Sequence, residues 1–393
     1  MTLKVFIIAG EPSGDQLGAA VMAGLRELTA AGGDSGVDTG VEFRGIGGDA
    51  MQAAGLSSLF DMSELSVMGL AEVLPKYGHL VRRKDETANA IVKWHPDLVL
   101  TIDSPDFCLR VVEAARKQVP DLRFAHYVAP TVWAWRPERA AKMKRTVDQV
   151  LALFPFEPPH FQREGLRCDF VGHPVVAQPQ ASAAEIATFR SAHGLKDRPL
   201  VLVLPGSRRG EVNRLAPTFG AALGYFAQSH PNAAYVLPVA GAVAEDVKRL
   251  VADWPVKPIL IAANDAARKR AAFGAADVAL AASGTVSLEL AAARTPMVVA
   301  YDMNWLTRQI VKRKLLVDTV TLVNLVSETR VVPEFLGERC QPGPIALELG
   351  RVMDAPEDQY SALDVTMERL GRGGEAPGLR AARALLEGMP VKS

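Results

Sequence analysis

The stretch ADVALAASGTVSLELAAARTPMVVAY, Ala276 to Tyr301, decides the fold. Asp277 to Ala281 is a short apolar run, and Ser283-Gly284-Thr285 is a small, hydroxyl-bearing turn. Val286 to Ala293 has the Leu- and Ala-rich composition of a helix. Arg294-Thr295-Pro296 ends it, because proline cannot continue a helix, and Met297 to Ala300 begins the next buried strand. Strand, turn, helix, strand is the crossover unit of a parallel sheet. A helix that starts at such a turn directs unpaired backbone N–H groups beyond the strand's carboxyl end, a place suited to phosphate. An ordinary helix cap on a crossover accounts for the same residues.

Working backwards, the same pattern recurs. Leu200 to Leu204 reads as a strand, Pro205-Gly206-Ser207-Arg208-Arg209-Gly210-Glu211 as its loop, and a helix follows from about Val212. A glycine and a serine beside paired arginines form an anion site, since guanidinium offers a planar fork to phosphate or carboxylate oxygens. Ala234 to Val239 and Pro258 to Ala262 add strands. Glu289, an acid on a Leu/Ala helix, suits the two hydroxyls of a ribose, with a solvent-facing acid as the plain alternative. Asn324, between apolar neighbours, offers the donor and acceptor that a base edge requires.

The amino-terminal half opens with another buried strand, Leu3 to Ala9, then Gly10-Glu11-Pro12-Ser13-Gly14-Asp15 and a helix to about Leu28. The glycine spacing is not that of a dinucleotide fingerprint. Residues Ala30 to Gly40 read as a loop, and Glu42 to Ile46 as a strand ending in Gly45-Ile46-Gly47-Gly48-Asp49. Met62 to Val81 has helical apolar spacing, with Pro75 expected to kink or divide it. Asp97 to Ile102 is the next strand, and Asp103-Ser104-Pro105-Asp106-Phe107 sits at its carboxyl end, where open α/β sheets bind ligands. Asp103 and Asp106 are both general-base candidates, and a turn that caps the following helix is the alternative for either.

Arg123 to Val128 and Val150 to Leu153 read as strands. Between them, Ala129 to Arg136 carries Trp133 and Trp135, two of the five tryptophans, followed by Arg139, Lys142, Lys144 and Arg145. Aromatic residues beside cations suit sugar stacking, phosphate pairing or an interfacial anchor, and a buried tryptophan pair is equally compatible. The polar, proline-bearing stretch from Pro174 to Ala184 marks a junction, with His173 bonded to backbone or facing a ligand. Domains are therefore expected at 1–178, joined by carboxyl-terminal helices 360–393, and at 179–359.

Composition narrows the function. The formal net charge is zero, so no global field draws the chain to nucleic acid. The three cysteines, Cys108, Cys168 and Cys340, are far apart and unpaired in pattern, which fits a reducing cytoplasm and argues against a zinc site. No apolar run approaches the roughly 20 residues of a membrane span. The chain starts directly in a strand without a signal-peptide layout. The basic, amphipathic stretch WLTRQIVKRKLL, Trp305 to Leu316, suits an anionic bilayer face or simply solvent. Together these readings give an α/β chain with two Rossmann-like domains facing across a cleft, carboxylates in the first half and anion-binding loops in the second. That is the layout of a glycosyltransferase using a nucleotide sugar. With no DxD run, neither metal nor cofactor is expected, and arginine and helix N-termini take the leaving charge.

AGEPSGD at Ala9 to Asp15, DSPDF at Asp103 to Phe107, PTVWAWRPER at Pro130 to Arg139, LPGSRRGEV at Leu204 to Val212, SGTVSLE at Ser283 to Glu289 and NLV at Asn324 to Val326 resemble, in order, the motif series of the lipid-A-disaccharide synthase family. The resemblance implies a GT-B fold and an inverting transfer from UDP-2,3-diacylglucosamine to 2,3-diacylglucosamine 1-phosphate (lipid X). The products are a β-1,6-linked disaccharide 1-phosphate and UDP. It further implies a peripheral place on the cytoplasmic face of the inner membrane, with a homodimer as one admissible assembly. Matched position by position, it makes Asp103 the base, and puts Glu11, Ser13, Asp15, Asp106, Trp133 and Arg136 on the acceptor side. Gly206, Ser207, Arg208, Ser283, Gly284, Thr285, Glu289 and Asn324 fall on the nucleotide side. The sequence departs from the family pattern in its long Gly-rich loop, in Cys108 after DSPDF, and in lacking a nearby Gln after Pro333-Glu334. Alternatives are another UDP-sugar enzyme of this fold, such as a UDP-GlcNAc 2-epimerase, and a non-catalytic nucleotide-sugar-binding protein.

Overall fold

The computed structural model describes residues 2–31, 40–65, 70–303 and 314–390. Parts of three expectations lie outside them: most of the loop Ala30 to Gly40, Val67 on the amphipathic stretch, and most of Trp305 to Leu316. The chain divides into two compact units, Met1–Ala177 with Gly373–Ser393, and Gln178–Arg372.

The first unit holds seven strands: β1 (Leu3–Ala9), β2 (Val41–Ile46), β3 (Ser57–Ser58), β4 (Leu98–Ile102), β5 (Arg123–Tyr127), β6 (Gln149–Ala152) and β7 (Arg167–Phe170). Their order is β3-β2-β1-β4-β5-β6-β7, and every pairing is parallel. Strands covered by helices on both faces must be apolar throughout, and β4, LVLTI, is buried at all five positions. The chain winds one way from β1 to β2 and the other way from β1 to β4. Ile8 is registered against Ile46 on one side and Thr101 on the other. The switch point of this sheet therefore lies between β1 and β4.

The second unit repeats the plan with β8 (Leu200–Leu204), β9 (Ala234–Pro238), β10 (Ile259–Ile261), β11 (Val278–Ala282), β12 (Met297–Tyr301) and β13 (Glu334–Leu336), in the order β10-β9-β8-β11-β12-β13. Its switch point is between β8 and β11, where Leu204 is registered against Ala281. The helix Arg209–Ser229 covers one face with Val212, Leu215, Phe219, Leu223 and Phe226, each at most 1% exposed. Their i, i+3, i+4 spacing builds the apolar stripe such a helix needs. Each large side chain so buried contributes roughly 1.5–3 kcal/mol.

The carboxyl-terminal helix Pro377–Glu387 returns to the first unit and packs on the helix Pro12–Ala31. The approach is close because it is made at glycines: a Cβ on Gly24 would meet the Gly378 carbonyl oxygen at 2.9 Å. The return begins later than expected. The helix Glu357–Arg369 stays with the second unit, where the buried Gln359 amide accepts from Met297 N at 2.8 Å and donates to Met297 O at 3.0 Å. Pro75, expected to kink or divide its helix, does not divide it: the helix runs Leu70–Trp94 through that position. Strands β3, β7 and β13 were not legible, being only two, four and three residues long, with charge alternating in β7, RCDF.

Candidate functional site

In the second unit, the two loops at the switch point are those with the anion-binding composition. After β8, Gly206 adopts φ +116°, and a Cβ there would sit 2.8 Å from the Glu211 Cβ, so glycine is required twice over. Arg208 then caps the helix Arg209–Ser229 in extended conformation. Glu211 folds back over this start: its Oε2 accepts from Ser207 N at 3.4 Å, and its Oε1 from Arg208 Nη1 at 3.2 Å. The two arginines diverge. Arg209 Nε donates to Asp246 at 2.7 Å and does not line the cavity described below, whereas Arg208 lines it.

After β11, Ser283-Gly284-Thr285 leads into the helix Val286–Ala292, and a Cβ on Gly284 would meet nothing within 4 Å. Both loops line one cavity of about 540 Å³, together with Glu289 and the segments that follow β9 and β10. Gly206, Ser207, Arg208, Ser283, Gly284, Thr285 and Glu289 are thus brought together as expected. The cavity also contains Lys269, which the sequence reading missed. Its Nζ donates to Glu289 Oε2 at 2.6 Å and lies 5.1 Å from the Phe273 ring centre. Nothing in Arg268-Lys269-Arg270 distinguishes it from a solvated helix face. Arg208 and Lys269 face Glu211 and Glu289, so an anion entering the cavity exchanges exposed ion pairs worth about 0–1 kcal/mol each.

In the first unit, the switch point joins the ends of β1 and β4. Ser13 is exposed in the first turn of its helix, and Glu11 is partly buried. Asp103 and Ser104 follow β4 with φ of +53° and +43°, and Val128 after β5 has φ +75°. For a β-branched residue that conformation is a genuine outlier. With Arg136 at φ +54°, four of the seven non-glycine residues at positive φ among the described residues follow β4 and β5. Such strain costs of order 1–3 kcal/mol per residue and collects where function demands a geometry. Asp103 N–H donates to Tyr127 O at 2.9 Å, and its Oδ1 accepts from Ser104 N at 2.8 Å. Oδ2 has no partner among the described residues. Asp106 is exposed in the first turn of the helix Pro105–Arg116, where a carboxylate complements the helix dipole.

Three residues expected to contact ligands are buried and bonded inward. Asp15 is 5% exposed, and its carboxylate accepts from Gly48 N, Ala50 N and Met51 N at 2.8–3.0 Å, capping the short helix Asp49–Ala53. It is a bracket between β1 and β2. Trp133 is 9% exposed and donates through Nε1 to Glu157 Oε1 at 3.2 Å, so it supports the loop from beneath. The exposed ring is Trp135, 38% exposed, with the Arg136 guanidinium 4.2 Å from its centre. Asn324 is 1% exposed, does not line the cavity, and spends its amide on Thr319 Oγ1, Val332 O and Val332 N at 2.9–3.3 Å. It fixes the connection into β13, as does Glu334, which accepts from Thr319, Val320 and Thr321. His173 accepts from Val175 N at 3.2 Å, the backbone-bonded role expected of a histidine at the junction.

Residues 5–375 match the family model for lipid-A-disaccharide synthetase. The chain is 58% identical to the lipid-A-disaccharide synthase of Ruegeria pomeroyi, covering 99% of this chain and 96% of that one. It is 45% identical to that of Rhodospirillum centenum, covering 98% and 94%. Among solved structures it resembles the UDP-GlcNAc 2-epimerase of Neisseria meningitidis bound to UDP-GlcNAc, with TM-score 0.59 at 13% identity over 98% of both chains. It also resembles a glycosyltransferase of Rickettsia africae, with TM-score 0.57 at 11% identity, covering 100% of this chain and 99% of that one. Likeness at that identity speaks for the two-domain α/β fold alone, whereas the sequence match spans nearly the whole chain: it belongs to the lipid-A-disaccharide synthase family.

Proposed function

We propose that this glycosyltransferase of lipid A assembly joins UDP-2,3-diacylglucosamine to 2,3-diacylglucosamine 1-phosphate by direct displacement, with Asp103 as the base. The 6-hydroxyl of the acceptor gives its proton to Asp103 Oδ2 as its oxygen attacks C1 of the donor sugar. The bond from C1 to the diphosphate oxygen breaks, the configuration inverts, and UDP departs with both electrons. Oδ1 is already bonded to Ser104 N–H, which leaves Oδ2 for the proton. Charge that develops on the departing diphosphate is met by Arg208 and by the backbone of the Gly206 and Gly284 turns. Glu289, steadied by Lys269, takes the ribose hydroxyls. Glu11, Ser13 and Arg136 hold the acceptor, with Trp135 in place of Trp133 as the stacking ring.

One observation carries this reading. Two loops from separate parts of the sequence, each with the composition of an anion site, line a single cavity together with an acid suited to ribose. No helix among the described residues is long and apolar enough to cross a membrane. Access to diacylated substrates then requires peripheral contact with the inner face of the inner membrane, which is part of the proposal. Titration with UDP by calorimetry tests the donor half: saturable binding, weakened on Arg208→Ala, is expected, and equal affinity in both proteins contradicts it.

A further inference from the structure

The loop from Val128 to Arg136 begins and ends on residues forced into the left-handed region, at φ +75° and +54°. Such a conformation persists only where its surroundings over-determine it. What lies beneath the loop is a carboxyl group with no place in the chemistry above. Glu157 is 1% exposed. Its Oε2 accepts from Leu153 N and Phe154 N, both at 3.0 Å, and so grips the segment leaving β6. Its Oε1 accepts from Trp133 Nε1 at 3.2 Å and so grips the loop leaving β5. The Trp133 ring stands edge-on to Phe156 at 5.1 Å, Phe156 stacks on Phe154 at 5.4 Å, and Phe154 lies 5.4 Å from His173. Burial in this aromatic setting pushes the Glu157 carboxyl up to about 8, so the group is held there against its own solvation. A carboxyl is a costly way to fill such a space unless its acceptors are needed. The residues it steadies end at Trp135 and Arg136, the exposed ring and the cation stacked upon it.

We propose that Glu157 is a positioning residue for acceptor binding: by holding Trp133 from below, it sets the strained loop that presents Trp135 and Arg136 to the acceptor lipid. This rests on the reading of that loop as part of the acceptor side. Glutamine is the informative replacement. Its oxygen still accepts from Leu153 N and Phe154 N, but its NH₂ cannot accept from the Trp133 indole, so only the grip on the loop is lost.

The test uses the full chain as wild type, Glu157→Gln and Arg136→Ala, with steady-state kinetics in each substrate, UDP calorimetry, and amide hydrogen exchange. For Glu157→Gln the expected result is an acceptor KM raised about tenfold, kcat and UDP affinity within about twofold of wild type, and faster exchange confined to 128–136. Arg136→Ala should raise the acceptor KM with exchange at the loop unchanged. An unchanged acceptor KM in Glu157→Gln, with Arg136→Ala impaired, overturns the role of Glu157. A parallel loss of UDP affinity and acceptor affinity in Glu157→Gln overturns it too, since that marks general damage. If Arg136→Ala is as active as wild type while Glu157→Gln still loosens the loop, the acceptor reading itself fails and the inference falls with it.

Discussion

Gly10 and Ser104 meet where β1 and β4 end: a Cβ added to Gly10 would lie 2.6 Å from the Ser104 hydroxyl oxygen and 3.0 Å from its Cβ. The contact ties the first glycine loop to the residue that follows Asp103. Gly10→Ala should therefore move Ser104 and, with it, the N–H that engages Asp103 Oδ1. The expected cost is about 1–3 kcal/mol of stability, with a fall in kcat larger than that loss explains. Adding Ser104→Gly should restore much of the stability, as read by thermal unfolding; no recovery in the double variant would place the strain elsewhere.

Arg208 and Arg209 are adjacent in sequence and different in use. Arg208→Ala should weaken UDP binding by about 1.5–3 kcal/mol, the scale of a lost charged hydrogen bond. Arg209 is engaged with Asp246 at 2.7 Å, so Arg209→Ala should change UDP affinity by less than about 1 kcal/mol. Calorimetry that ranks the two the other way contradicts the assignment.

Asp15 is expected to act on stability and not on substrate affinity. Asp15→Ala strands the N–H groups of Gly48, Ala50 and Met51 beneath the surface, at a cost of about 2–3 kcal/mol. Acceptor KM measured below the unfolding range should stay near wild type. A large rise in KM with normal stability would return Asp15 to the ligand side.

Stability should peak near pH 6.5. Burial depresses His126 and His173 to about 4, so their contribution is present above the ordinary value of 6.5 and is lost as pH falls through 4. Glu157, raised to about 8, acts oppositely: its contribution is present below 4.5 and is lost as pH rises through 8. Between 4.5 and 6.5 two groups oppose one, so acidification destabilises by roughly 1 kcal/mol per pH unit from these three alone. Above 6.5 the slope reverses. Unfolding followed from pH 4 to 8 checks both arms, and His126→Gln should flatten the acidic one.

Both sheets were readable because their central strands are unbroken apolar runs, as in Leu200 to Leu204, and their turns carry glycine and proline. The switch-point loops were readable for a related reason: Gly206 and Gly284 stand where a backbone must turn sharply or leave room. What sequence could not separate is a polar side chain that meets a ligand from one that satisfies buried backbone. Asp15, Asn324 and Trp133 have the residue types of binding groups, and all three bond inward. Lys269 was invisible for the opposite reason, since its use depends on Glu289, twenty positions away along the chain.

The central claim is that Asp103 takes the acceptor's proton while other residues hold UDP. The most direct measurement compares wild type with Asp103→Ala, supplied with UDP-2,3-diacylglucosamine and 2,3-diacylglucosamine 1-phosphate, for UDP and disaccharide formed. The account predicts equimolar UDP and β-1,6 disaccharide from wild type. Turnover should fall by roughly 10²–10⁴-fold in the variant, the range for losing a general base, with UDP affinity unchanged. Wild-type turnover in Asp103→Ala, or loss of UDP binding in step with turnover, would contradict it.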